Sequence, residues 1–222
     1  MCWGLAGNSF PSPSQDENFL SITSGEGFSC GILSSNSRVR CWGSDNPSAT
    51  DLEYQFKDFS MYSLVAGNSH VCGYNMDGYL ICRGRNDTGQ LGNPDRFSKP
   101  FEFSVLALGI IHSCGIRLWD KEVVCWGGKG EFSSNVTKGI SFETIVAGTG
   151  YTCGVVSNGF NLICWGAVWN NEKVYVPNFP RIAPSPCVLD NCPCKPYANS
   201  GNICMSGLTM CMRCCPKIYI CF

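Results

Sequence analysis

Four times in this chain a Cys-Gly pair is followed ten or eleven residues later by a second cysteine inside a Cys-x-Gly triplet. The units run from Cys30-Gly31 to Cys41-Trp42-Gly43, Cys72-Gly73 to Cys82-Arg83-Gly84, Cys114-Gly115 to Cys125-Trp126-Gly127, and Cys153-Gly154 to Cys164-Trp165-Gly166. They recur every 39 to 42 residues. Five positions before each first cysteine stands a glycine: Gly25, Gly67, Gly109 and Gly148. Three before that glycine comes Ile22, Leu64, Leu106 or Ile145, and three further back Phe19, Met61, Phe103 or Phe142. Each unit reads as an apolar strand, a glycine turn and a cysteine-flanked hairpin. No stretch of 11 or more residues has helical periodicity, which argues against a helical solenoid. A period near 40 built from short strands predicts an all-β chain of β-propeller blades, each a small sheet that buries its faces against its neighbours.

The hairpin centres can be read from the cysteines. Asn158-Gly159 fits a two-residue type I′ turn and Ser35-Asn36 a similar one, whereas Met76-Asp77-Gly78 fits a three-residue loop with Gly78 in the left-handed position. Trp119-Asp120 is a poorer turn pair, and a four-residue loop fits equally well there. Cys30 then faces Cys41, Cys72 faces Cys82, Cys114 faces Cys125 and Cys153 faces Cys164, giving four expected disulfides. Counting outward from a two-residue turn places Cys153 and Cys164 in a hydrogen-bonded pair, whose Cβ atoms diverge, so a twist or bulge is expected there.

Seventeen cysteines in 222 residues point to an oxidising, extracellular setting. Asn86-Asp87-Thr88 and Asn135-Val136-Thr137 are N-glycosylation acceptors that agree with it. Sixteen basic against 17 acidic residues, with no basic block, offers no surface for nucleic acid. No secretory leader pattern follows Met1, and no apolar run reaches the ~18 residues of a membrane span. Cys2-Trp3-Gly4 matches the second half of a repeat unit whose first half would lie upstream. The chain is therefore expected to be a fragment, with Cys2 unpaired, residues 1–182 forming four full blades and a partial one in an open arc, and the end blades exposing edges. Such an arc is expected to be poorly stable alone. Residues 183–222 change to Pro-Ser-Pro and then eight cysteines, a small disulfide-rich segment whose pairing stays open. Cys192-Pro193-Cys194 and Cys211-Met212-Arg213-Cys214 leave zinc as the alternative to disulfides in that tail.

Gly67-x-x-His70-x-Cys72, the Cys-Trp-Gly ends and Asn86-Asp87-Thr88-Gly89-Gln90-Leu91-Gly92 resemble the repeat of the regulator of chromosome condensation superfamily. With a cysteine pair in every repeat and a cysteine-rich tail, the chain more particularly resembles the ectodomain of plant Crinkly-type receptor-like kinases. That resemblance implies seven blades, a signal peptide, one membrane span and a cytoplasmic Ser/Thr kinase. It also implies an unidentified extracellular ligand or co-receptor, at the outer face of the plasma membrane. The alternatives are an intracellular exchange factor or chromatin-binding propeller, and a soluble secreted repeat protein. Cys82-Arg83-Gly84, and the occurrence of Gln-Leu-Gly in one repeat alone, depart from the pattern.

Individual residues argue against catalysis. His70 and His112 share one repeat position with Phe28 and Tyr151, a slot that wants a planar side chain for packing. Trp3, Trp42, Trp126 and Trp165 share another, suited to packing between blades. No nucleophile elbow, zinc-protease motif, phosphate loop, kinase motif or cofactor fingerprint is present, so this segment is expected to be no enzyme and to need no cofactor. Contact with a partner is expected from the loops at Asp87–Phe97 and Asn170–Val176, and from Trp119 and Trp169.

Overall fold

The computed structural model describes residues 13–43, 49–93, 97–130, 132, 134–169, 175–177, 187–189, 204 and 208–210. Apart from Cys2-Trp3-Gly4 and six of the eight tail cysteines, all but Cys187 and Cys204, the cysteine-bearing units fall within them. The expectations about Cys2 and about zinc at Cys192, Cys194, Cys211 and Cys214 lie outside the described residues.

Each sequence unit becomes one three-stranded antiparallel sheet. The first contains Phe19–Ser24 (β1), Phe28–Leu33 (β2) and Val39–Gly43 (β3). The helix Ala49–Gln55 (α1) leads to Val65–Ala66 (β4), His70–Tyr74 (β5) and Leu80–Gly84 (β6). The third has Phe103–Leu108 (β7), His112–Arg117 (β8) and Val123–Gly127 (β9). The fourth has Phe142–Ala147 (β10), Thr152–Val156 (β11) and Leu162–Trp165 (β12). Cys187–Leu189 (β13) pairs with Leu208–Met210 (β14) in the tail. The apolar clusters lie between sheets, as a propeller requires: Ile32 and Phe28 share one with Met61 and Val71, and Ile116 shares another with Phe142 and Ile145.

The hairpins pair Cys30 with Cys41, Cys72 with Cys82, Cys114 with Cys125 and Cys153 with Cys164 across the ladder. All four pairs are disulfide-bonded, with Cα separations of 4.0–4.1 Å. That spacing belongs to the non-hydrogen-bonded class of cross-strand pairs, which corrects the two-residue turn. The last ladder bond runs from Val156 N–H to the Asn161 carbonyl, 2.9 Å, so the loop is Ser157 to Phe160, four residues rather than two. Widening the loop by one residue on each side keeps the centre and reverses the hydrogen-bonding parity of every pair. Phe160 takes the left-handed position at φ 56°, matched by Ser37 and Lys121 in the other four-residue loops. The second hairpin keeps its three-residue loop, with Gly78 at φ 85°.

In three sheets a bulge in the first strand, between Phe19 and Ser21, Phe103 and Val105, or Phe142 and Thr144, turns the phenylalanine across the Cys-Gly glycine. A Cβ on Gly31, Gly115 or Gly154 would lie 2.5 Å from that ring. The ring then meets the tryptophan of its own sheet, at 5.2 Å for Phe19–Trp42, 5.6 Å for Phe103–Trp126 and 5.4 Å for Phe142–Trp165. The second sheet replaces both members at once: Met61 stands for Phe, and Arg83 for Trp. Arg83 lies over the Phe59 ring at 5.0 Å and donates to the Gln55 carbonyl.

Helix α1 is absent from the sequence reading because its seven residues fall below any helical repeat. Tertiary contact forms it, through the buried Ala49 and Leu52. It covers two sheet edges: the Glu53 carboxylate accepts from Cys41 N–H at 2.9 Å, and the Gln55 side-chain oxygen accepts from Gly84 N–H at 3.2 Å.

Candidate interaction surface

Near the axis, consecutive sheets approach backbone to backbone. The glycine before each hairpin donates to the carbonyl of the ring-bearing residue three positions on, as Gly67 N–H does to His70 at 2.8 Å. The turn presses the ring against its own glycine. A Cβ on Gly25, Gly67 or Gly109 would come within 2.4, 2.6 or 2.4 Å of the carbonyl oxygen of the next sheet's glycine, so only glycine fits. Backbone bonds join the sheets there, from Glu26 N–H to the Asn68 carbonyl (2.9 Å) and from Asn68 N–H to the Gly109 carbonyl (3.1 Å).

The ring slot is buried at Phe28, His70 and His112 and exposed at Tyr151. His70 Nε2 lies 2.8 Å from Ser113 Oγ, and His112 Nε2 lies 2.8 Å from Thr152 Oγ1, in each case a residue of the following sheet. Ser113 Oγ donates to the Gln90 carbonyl at 2.9 Å, so it accepts from His70, which carries its proton on Nε2. The equivalent pair between the first two sheets is Phe28 with Val71, both buried in one apolar cluster. A ring without N–H thus meets a side chain without hydroxyl. Burial pushes the His70 pKa down to about 4, and burial together with the charge of His70 pushes His112 down to about 3. His112 also stacks on Phe132, centroids 3.5 Å apart. Both rings face blade contacts, the packing role expected of the slot.

The Gln-Leu-Gly element serves the same junction. Gln90 is buried, and its carbonyl also accepts from the Trp126 indole at 3.0 Å, while Leu91 N–H donates to Asn86 Oδ1 at 3.0 Å. The indole nitrogens of Trp42 and Trp165 have no such partner among the described residues. This explains the element's single occurrence: it supports one sheet-to-sheet contact.

Beside the exposed Leu20 and Ile22 of β1 and Val146 of β10, loops and hairpin tips form the surface. Trp119 is 55% exposed beside the exposed Leu118, with Lys99 Nζ 4.8 Å and the Arg117 guanidinium 5.6 Å from its ring. Arg117 is held by Asp120 and Glu122, at 2.6 and 3.0 Å, so the tip is ordered. Asn86 and Asn135 are both exposed. Trp169 ends a short 3-10 turn, Ala167–Trp169; residues 170–174 lie outside the described residues, and Tyr175 and Val176 beyond them are exposed. A shallow open groove lies between α1 and β3, lined by Arg38, Glu53, Tyr54 and Lys57 among others. Among the described residues no group of His, Cys, Asp or Glu is arranged to hold a metal, and no helix is long and apolar enough to cross a membrane.

No protein-family model matches the chain. It is 38% identical over 203 residues, 90% of its length, to the serine/threonine-protein kinase-like protein CCR3 of Arabidopsis thaliana, and 33% identical over 134 residues, 52% of its length, to CCR2 of the same plant. It spans 25% and 17% of those two relatives. Among solved structures it matches the CRINKLY WD40 ectodomain of the Arabidopsis thaliana receptor kinase ACR4, with 26% identity and a TM-score of 0.55, covering 75% of this chain and 54% of that one. The fold also matches the entire ectodomain of the Physcomitrella patens receptor kinase CR4, with 24% identity and a TM-score of 0.60, over 81% of this chain and 48% of that one. By sequence and by fold together, this chain is a relative of the Crinkly-type plant receptor-like kinases, and its four described blades match their propeller ectodomains in fold.

Proposed function

We propose that the chain acts as an extracellular interaction region of a Crinkly-type receptor-like serine/threonine kinase, binding a ligand or co-receptor and performing no phosphoryl transfer itself. The carrying observation is the 38% identity to a kinase-like protein along 90% of this chain, joined to a disulfide in every blade. The repeated positions are committed to packing, so recognition falls to non-repeated surfaces: the ordered Trp119 tip and the loop after Asp87. Asn86 and Asn135 carry glycans in this reading, and the parent chain supplies the membrane anchor. In this reading the cysteines of residues 183–222 are disulfide-bonded.

Alkylation of the denatured, non-reduced chain tests the setting. Oxidative, extracellular maturation leaves the eight blade cysteines unlabelled by mass spectrometry. Labelling of all eight would place the protein in a reducing compartment and refute the receptor reading.

A further inference from the structure

Each hairpin tip is bonded to the segment that opens the next blade. The Ser37 carbonyl accepts from Met61 N–H at 2.7 Å, that of Gly78 from Phe101 N–H at 2.7 Å, and that of Lys121 from Phe142 N–H at 2.9 Å. The opening segment also accepts from the tip of its own blade, as the Glu102 carbonyl does from Leu118 N–H at 2.9 Å. Phe101 and Glu102 therefore set the tip of the second blade directly beside that of the third. Phe101 makes this link at φ 49°, a left-handed conformation that an aromatic residue adopts only against steric strain. Its ring packs on Tyr74, centroids 5.4 Å apart.

The four tips differ in what they carry. The first is Ser34-Ser35-Asn36-Ser37, and the fourth is Ser157-Asn158-Gly159-Phe160, whose phenylalanine is buried. Neither exposes a large apolar side chain. The two middle tips do: Met76 and Tyr79 are exposed on one, Leu118 and Trp119 on the other. Both middle blades already have a blade on either side, so these side chains are not waiting for a neighbouring repeat. Lys99 extends over the Trp119 ring, and among the described residues no carboxylate pairs with it. Arg117, also near that ring, is neutralised by Asp120 and Glu122. The joined tips thus form an apolar patch with an unpaired cation at its Trp119 end and Asp77 at the other tip. Aliphatic Met76 and Leu118 beside Trp and Tyr suit protein side chains, whereas a sugar gains nothing from them and would compete with Lys99 for the indole face.

We propose that the paired tips of the second and third blades dock an acidic, apolar segment of a partner protein. Its apolar side chains cover Met76, Tyr79, Leu118 and Trp119, and one of its carboxylates meets Lys99. Trp119 is the anchor, since a rigid aromatic covered by a partner carries a large share of binding energy, and the carboxylate fixes the direction in which the segment lies. This assignment rests on the chain being an extracellular interaction region.

A random linear peptide library displayed on phage and panned against the immobilised full chain tests it. Selected peptides are expected to combine Asp or Glu with Leu, Phe or Trp. Synthetic copies, titrated by fluorescence anisotropy, should bind at least about tenfold more weakly to each of Trp119→Ser, Met76→Ser and Lys99→Glu. They should bind equally to Ser35→Ala, on a polar tip. Near-UV circular dichroism checks that each variant is folded, and Leu118→Ser replaces one that is not. Failure to enrich any peptide, enrichment without acidic residues, or binding that survives any of the three substitutions overturns the proposal. So does oligosaccharide binding on a glycan array that Trp119→Ser abolishes while no peptide binds, or a doubled sedimentation mass that Trp119→Ser returns to the 24.2 kDa of one chain. Each of these outcomes removes the patch and leaves the extracellular setting to the cysteine labelling, which tests it separately.

Discussion

The pair His112–Thr152 invites a double-mutant cycle, because the chain already contains its apolar equivalent in Phe28–Val71. Thr152→Val leaves the buried His112 Nε2 without its partner at 2.8 Å, and a stranded buried polar group costs about 1–3 kcal/mol. His112→Phe keeps a planar ring against Phe132 but leaves the Thr152 hydroxyl only the Cys114 sulfur at 3.4 Å, at a similar cost of ~1–2 kcal/mol. The double variant removes both polar groups and loses the net value of one hydrogen bond, ~1 kcal/mol. The coupling is then about 2 kcal/mol in favour of the double variant. For a chain of this size, each single variant should melt roughly 3–8 °C below the parent and the double variant within about 3 °C of it. Thermal unfolding followed by circular dichroism at pH 7.5 reads all four proteins. If the loss in the double variant equals the sum of the singles, the ring slot is generic packing and the matched-pair account of the junction is wrong.

Acid should act on the same groups. With folded values of about 4 and 3 against an ordinary 6.5, the unfolded chain binds more protons below pH 6.5, so stability falls as the pH drops from there toward 3. Denaturant midpoints across that range should decline, and less steeply in the His112→Phe/Thr152→Val variant; equal slopes would mean that His112 is not held neutral by the fold. At the axis, Gly67→Ala places a Cβ 2.6 Å from the Gly109 carbonyl oxygen and should cost on the order of 2 kcal/mol by forcing two blades apart. Gly150→Ala, whose nearest neighbour is Val168 Cγ2 at 3.4 Å, should stay within about 0.5 kcal/mol, and equal melting shifts for the two would remove the close-approach explanation.

The repeat makes much of the fold legible because four copies align with one another. Glycine at Gly25, Gly67, Gly109 and Gly148 marks the axis turn, and Phe28, His70, His112 and Tyr151 mark a ring slot. The turn width at Asn158-Gly159 is not legible, since that dipeptide suits a two-residue turn locally while the bonded Cys153 and Cys164 fix the parity of the ladder from four residues away. Helix α1 is hidden for the opposite reason: nothing local demands it, and Glu53 and Gln55 gain their roles only from the sheet edges they meet. The ring-to-hydroxyl pairing spans 43 and 40 residues, beyond any local pattern. Its signal is nonetheless present. The residues before the first cysteines read Val71, Ser113 and Thr152, and shifting them back one repeat sets them against Phe28, His70 and His112. The Trp119 tip is legible as an outlier, standing outside every repeated position, while its flanking cations come from a distant loop and from its own strand.

Each blade disulfide closes within one repeat and joins residues ten or eleven apart. A blade can therefore be duplicated, deleted or exchanged in a gene without leaving a cysteine unmatched, and oxidation can finish on one blade before the next has been synthesised. Covalent chemistry is blind to blade order. Order is written instead in the buried pairs, where a histidine placed against Val71 or a phenylalanine placed against Thr152 strands a polar group. The staples let the number of blades drift while the pairs between them police the sequence in which they are assembled.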